Sequence, residues 1–429
     1  MKRYLFLISI STLFFINLKS QTTLPASIFS NTTLTKANSP YLISSNLVIF
    51  QGVVVNVDPG VEIKVDLGFE IEVRGTLSFN GNSADSIYLH SSQSAAGYSA
   101  WKMILVKETG TISANYLKMS NCDEGIYIVN YNTDLHIANS RFFNNNNAIN
   151  TIYGHPSGLV KNCVFHNNNY CLKATHYDNN FWIRKCNFFK NLNAVGALGL
   201  SQQNLHMDSC NIYSNDFGMN AWLDMWGGDI TNTNIFDNRT VGLELYWYDS
   251  SPNHNFSNNK IYNNGTGLLL KAETNPSFVN TYICNNSINN VELTYMYNAD
   301  VKNVCWCTND SAFIRSKIKD GYVNNSLGLV YYTPFIKNCS STTVGINENN
   351  FKEEIYTAYP NPVNDLLFIN CKENERITEI KIFNIEGKNI LIRDEVFDNK
   401  IDISELKTGF YLIKFVINET NFNYKFLKN

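Results

Sequence analysis

Through the middle of this chain apolar side chains recur in pairs two residues apart, and the pairs return at an almost constant interval. Aligning Met119, Phe142, Phe165, Phe188, Ile212, Ile235, Ile261, Tyr282 and Trp306 on one position gives spacings of 23, 23, 23, 24, 23, 26, 21 and 24. Two residues before these anchors stand Leu117, Ser140, Cys163, Cys186, Cys210, Thr233, Asn259, Asn280 and Val304. They share the anchor's face, because strand side chains alternate with period two. Three residues after the anchors stand Cys122, Asn145, Asn168, Asn191, Asn215, Asn238, Asn264, Asn285 and Asn309. A further apolar position follows at Ile126, Ile149, Leu172, Val195, Met219, Leu243, Leu268 and Val291, often behind Gly or Ala, as at Gly125, Ala148, Gly218, Gly242 and Gly267.

The i, i+2 spacing and the β-branched and aromatic residues exclude helical repeats, and the Leu framework of a leucine-rich repeat is missing. Short strands punctuated by Asn and Gly turns predict instead that each repeat is one coil of a parallel β-helix. Coils stacked about 4.8 Å apart would align equivalent side chains into ladders. An inward Asn ladder would then hydrogen-bond along the stack and satisfy the backbone of the turns.

Composition narrows the class. Hydrophobic residues make up 44% of the chain and are interleaved with the Asn, which excludes a disordered Asn-rich tract. The 34 basic and 37 acidic residues leave a net charge of −3, so no nucleic-acid partner is expected. Lys2 and Arg3, an apolar run from Leu5 to Leu18 and the small Ser20 read as a secretory signal peptide over residues 1–20. That run is too short to span a bilayer, and no later segment is long and apolar enough to do so. Export permits disulfides among the ten cysteines. Cys163, Cys186 and Cys210, on one inward position, are nevertheless expected as a buried ladder of small hydrophobes. Cys305-Trp306-Cys307 lacks the second pair a metal site needs and is read as core packing.

Ser39-Pro40-Tyr41, the run from Leu47 to Val57, Pro59-Gly60-Val61-Glu62-Ile63 and Gly75-Thr76-Leu77 resemble the first coils of the pectin-lyase-like, right-handed β-helix superfamily. Ile318-Lys319-Asp320-Gly321 and Gly328-Leu329-Val330-Tyr331-Tyr332-Thr333-Pro334-Phe335 resemble the exit from such a helix. The resemblance covers roughly residues 25–345. It implies an all-β fold, a right-handed parallel β-helix, and leaves activity open, since one fold hosts many functions.

After a polar linker, placed at residues 346–354, the pattern changes. Tyr359-Pro360-Asn361-Pro362, Leu366-Leu367-Phe368-Ile369, the run from Ile380 to Lys388 and Leu406-Lys407-Thr408-Gly409-Phe410-Tyr411-Leu412-Ile413 read as strands of a small β-sandwich. These motifs, in this order and with the ending Lys425-Phe426-Leu427-Lys428, resemble the type A sorting domain of type IX secretion cargo in Bacteroidota. The resemblance implies export across the outer membrane through residues 355–429 and a mature protein, residues 21–345, secreted or held at the cell surface. A monomer is expected.

Function in repeat folds sits in the loops that escape the repeat. The segments after the Gly-apolar strands carry Tyr153, His155, His176, Tyr177, Asp178, Trp222, Asp224, Trp226, Tyr246, Trp247, Tyr248, Asp249, Lys271, Glu273, Tyr295 and Tyr297. Aromatic faces among carboxylates suit a polysaccharide, because sugar rings stack on aromatics while hydroxyls pair with polar groups. The same aromatics would also serve by packing on one another. For catalysis, Asp224, Asp249 and Glu273 fall on successive coils, with neighbours about 5 Å and alternates about 10 Å apart. Those separations bracket the retaining and inverting glycosidases. A lyase would draw instead on His176, Lys271 and a Ca²⁺ held by Asp; no other cofactor is expected.

Overall fold

The structure is a computed structural model. It describes residues 21–93, 97–130, 133–151, 157–174, 181–196, 205–223, 228–247, 254–271, 276–337, 339, 357–359, 362–370, 377–384, 388–396, 400–417 and 420–429. The chain forms two compact units that divide between Ser341 and Thr342. The signal-peptide and linker segments lie outside the described residues.

The first unit is a parallel β-solenoid. Each coil lays one strand in each of three sheets, so that neighbours within a sheet come from successive coils. The first sheet has 13 strands, from Thr22–Thr23 to Val304–Cys305; the second has 13, from Ser27–Ile28 to Ile318–Lys319; the third has 11, from Thr32–Leu34 to Ser277–Val279. The anchors pair in register along the first sheet, Met119 with Phe142, Phe142 with Phe165 and Phe165 with Phe188. All are buried, and the three phenylalanine rings stack at 5.0 and 4.8 Å.

The expected register slips in one coil. Ile261 pairs with Ile283 rather than Tyr282. Thr281, not Asn280, is therefore the buried residue two places earlier, and Tyr282 turns outward beneath the Lys260 ammonium, 5.6 Å from its ring. The interior ladder accordingly runs through Asn286 instead of Asn285 and ends on Asn290, whose Oδ1 accepts from the Asn286 amide at 3.2 Å. Asn309 lies exposed beyond it.

Within the ladder each Asn does the same work. The Asn191 Oδ1 accepts from the backbone N–H of Asn168 at 2.9 Å and from its Nδ2 at 3.1 Å. The Asn191 Nδ2 donates to the Phe165 carbonyl at 3.0 Å and to the Asn215 Oδ1 at 2.9 Å. Backbone groups stranded at a buried turn are thereby paired without water. The small residue behind the next apolar position follows from this ladder. A Cβ on Gly267 would stand 2.4 Å from the Asn286 Nδ2, and one on Gly242 would stand 2.7 Å from that of Asn264.

The outer face of the first sheet carries a second column, Phe143, His166, Phe189, Tyr213, Phe236 and Tyr262, stacked at 5.4, 5.3, 5.3, 5.1 and 5.1 Å. Burial first, then the nearby charges of Arg141 and Lys190, lower the His166 pKa to about 4.

Cys163, Cys186 and Cys210 are buried free thiols, as are Cys122 and Cys171. Trp306 is core, but its flanking cysteines are not simple packing residues: Cys284 bonds Cys307, and Cys305 bonds Cys339. Their partners lie in other coils or past the last one, beyond the reach of a motif read from Cys305 to Cys307. The second unit is a small antiparallel β-sandwich. One sheet joins Thr357–Tyr359, Leu366–Asn370 and Lys400–Asp402; the other joins Asn389–Val396, Ile377–Asn384, Gly409–Ile417 and Thr420–Lys428 around a shared apolar core. No helix among the described residues is long and apolar enough to cross a membrane.

Candidate functional site

Alternation on the third sheet sends Ile137, Val160, Ile183, Met207, Ile230 and Phe256 into the core. Their neighbours must therefore face outward. One outward row, in register, reads His136, Leu159, Trp182, His206, Asp229, Asn255 and Ser277. The row beside it reads Ala138, Lys161, Arg184, Asp208, Thr231 and Ser257.

Three coils concentrate polar chemistry on this face. The Trp182 and His206 rings lie 4.1 Å apart and nearly parallel. The Arg184 guanidinium sits 4.2 Å from the Trp182 ring, a cation–π contact that fixes the fork of donors. His206 Nδ1 lies 2.9 Å from the Asp229 Oδ2, so the carboxylate sets the ring's orientation. The His206 Nε2 makes no hydrogen bond to a described residue. Asp208 accepts from Asn232 at 2.7 Å, Thr231 at 3.0 Å and Ser209 at 3.1 Å. Burial acts to raise its pKa, but these donors and the charge of Arg184 outweigh that and lower it, so Asp208 remains a carboxylate. The turn beside these coils also breaks its own rule. Asn162, Asn232 and Asn258 hold left-handed backbone there, whereas Lys185 and Ser209 hold it at φ 53° and 55°. Such residues adopt that conformation at a cost, a mark that recurs at functional sites.

The residues singled out from the sequence are not among these. Tyr153, His155, His176, Tyr177, Asp178, Asp224, Trp226, Tyr248, Asp249 and Glu273 lie outside the described residues. In chain order the segments that contain them fall between second-sheet and third-sheet strands. Trp222 pairs in register with Tyr246, and Leu223 with Trp247, on adjacent second-sheet strands. The Lys271 ammonium bonds the Glu244 carboxylate at 3.0 Å and lies 5.2 Å from the Tyr246 ring. Burial opposes its charge, but Glu244 and Tyr246 prevail and raise its pKa, so Lys271 is a committed cation and a poor proton acceptor. Glu244 is buried and also accepts from Asn220. Tyr295 packs against the core while Tyr297 is exposed, with ring centroids 6.2 Å apart. Among the described residues no group of His, Cys, Asp and Glu is arranged to hold a metal ion.

Trp182, Arg184, His206, Asp208 and Asp229 escaped the sequence reading because they follow no residue-type pattern. Their signal is positional: Trp182, His206 and Asp229 each stand six residues before an anchor, Phe188, Ile212 and Ile235.

Residues 357–429 match the family described as a secretion system C-terminal sorting domain. The chain thus carries a type IX sorting domain and is exported to the cell surface or beyond. No curated protein matches the sequence. Among solved structures, the A-module of mannuronan C-5 epimerase AlgE6 from Azotobacter vinelandii is similar at 13% identity and TM-score 0.32, over 74% of this chain and 91% of that one. The tailspike protein gp49 of Acinetobacter baumannii bacteriophage Fri1, a capsular polysaccharide depolymerase, is similar at 9% identity and TM-score 0.32, over 90% of this chain and 72% of that one.

Proposed function

We propose that this exported β-solenoid binds a polysaccharide on the outer face of its third sheet. The observation that carries the reading is the column Arg184, Trp182, His206 and Asp229. Trp182, His206 and Asp229 stand one coil apart in a half-buried outward row along the solenoid axis, with the exposed Arg184 on the same strand as Trp182. A chain of repeating hydroxylated units suits a surface that repeats about every 4.8 Å, and rigid polar groups lose little entropy on binding.

A second reading, a polysaccharide lyase or glycoside hydrolase at the same place, draws support from the His206–Asp229 pair. A carboxylate-oriented imidazole whose other nitrogen bonds no described residue has the arrangement of a general base. The two readings separate on one experiment with the purified mature chain and a panel of acidic and neutral polysaccharides. Retention on the glycan, without unsaturated products absorbing in the ultraviolet and without new reducing ends, supports binding alone. Either product signal, lost in His206→Ala, supports the enzyme. Retention unaffected by Trp182→Ala with Arg184→Ala would remove this face from consideration.

A further inference from the structure

A cleft of about 560 Å³ opens at a different corner of the coil, where the first sheet turns into the second. The turn residue there is left-handed in every coil from Asn121 to Asn285, with φ between 54° and 63°. Asn121, Asn144, Asn167, Asn263 and Asn285 occupy it as expected, since Asn tolerates this backbone best after Gly. Three consecutive coils depart, with Lys190, Ser214 and Asp237, each at φ 54°. All three line the cleft. Lysine and serine gain nothing for folding at such a position, so a conformational cost is borne where the cleft lies and not in the coils flanking it.

The chemistry of the three is specific. Neither Lys190 nor Asp237 forms an ion pair with a described residue, whereas the neighbouring Asp216 and Arg239 neutralise each other, Nη2 to Oδ2 at 2.9 Å. Lys190 and Asp237 stand two coils apart, about 10 Å, with Ser214 between them. Leu192 and Tyr98, 46% and 44% exposed, add apolar surface to the lining.

We propose that this cleft is a second saccharide site, selective for a chain in which acidic and neutral sugars alternate. The acidic group pairs with Lys190. The hydroxyls of a neutral sugar donate to the Asp237 carboxylate, and Leu192 and Tyr98 contact the ring faces. A chain acidic at every residue would bring like charge to Asp237, and a wholly neutral one would leave Lys190 without its partner.

The test uses the mature chain carrying Trp182→Ala and His206→Ala, so that failure of the third-sheet site does not mask this one. Hexasaccharides of hyaluronan and chondroitin represent the alternating class, with oligogalacturonate and cello-oligosaccharide as the uniform acidic and neutral controls. At least one alternating hexasaccharide should bind tenfold or more tightly than either control. Restoring the turn's ordinary residue, as Lys190→Asn with Ser214→Asn and Asp237→Asn, should abolish that preference and raise the midpoint of urea unfolding. Equal binding of all four sugars, no binding of either alternating one, binding unchanged by the triple replacement, or a lowered unfolding midpoint would each overturn the proposal.

Discussion

Truncating Asn191 to alanine isolates what the interior ladder contributes. The side chain makes four hydrogen bonds, to the Asn168 backbone N–H and Nδ2, the Phe165 carbonyl and the Asn215 Oδ1. Asn168 is 2% exposed, so its N–H is left in the core without water. An orphaned buried donor costs about 1–3 kcal/mol, and each other lost bond a net of about 1 kcal/mol, offset in part as neighbours relax. A loss of roughly 3–5 kcal/mol is expected. Asn211→Ala is the control: it also removes two side-chain bonds at 2.9 Å, to Asn187 and from Asn234, but on a half-buried outer row where water replaces them. Its cost should stay below about 1 kcal/mol. Urea unfolding followed by circular dichroism and tryptophan fluorescence gives both values, and a lowered slope for Asn191→Ala would show coils melting separately. Equal costs for the two variants would refute the reasoning, since the ladder would then supply turn propensity and nothing more.

The folded pKa of His166, about 4, lies below its ordinary value of 6.5. The unfolded chain therefore binds the extra proton between those pH values, and stability falls as pH drops from 6.5 to 4, by at most about 3 kcal/mol. His166→Phe, which continues the stack between Phe143 and Phe189, should flatten that part of the pH–stability curve; an unchanged curve would place the proton elsewhere. Replacing Cys305 and Cys339 by serine opens a loop of 34 residues and should cost about 3–4 kcal/mol by chain entropy, read as a lower melting temperature that reductant then changes only through the remaining Cys284–Cys307 bond. Asp229→Asn should weaken glycan retention several-fold while leaving the melting temperature within a few degrees, because the His206 ring remains stacked on Trp182; a large fall in melting temperature would make the pair structural.

The interior was legible because burial enforces it. From Met119 to Ile261 the anchors stand at one register, and the core accepts only apolar side chains at that point. The slip at Tyr282 has a local cause: Tyr282, Ile283 and Cys284 offer competing apolar choices, and Asn285 and Asn286 both fit the ladder. Only the pairing of Ile261 with Ile283 decides between them. The outer face was not legible because solvent imposes no residue type on it. Trp182, His206 and Asp229 share a position and no common chemistry, so a search for similarity passes over them.

The two disulfides give the solenoid a direction. Stacked coils hold only their neighbours, so melting begins at whichever end is looser and spreads as a front. At one end the last coils are crosslinked, Cys284 to Cys307 and Cys305 to Cys339, while the first coil rests on little more than Leu24, Ile28 and Leu34. The array should therefore unzip from its amino end toward its carboxyl end. A protease that severs the sorting domain beyond Cys339 would leave both crosslinks intact, and the mature solenoid would keep its latch.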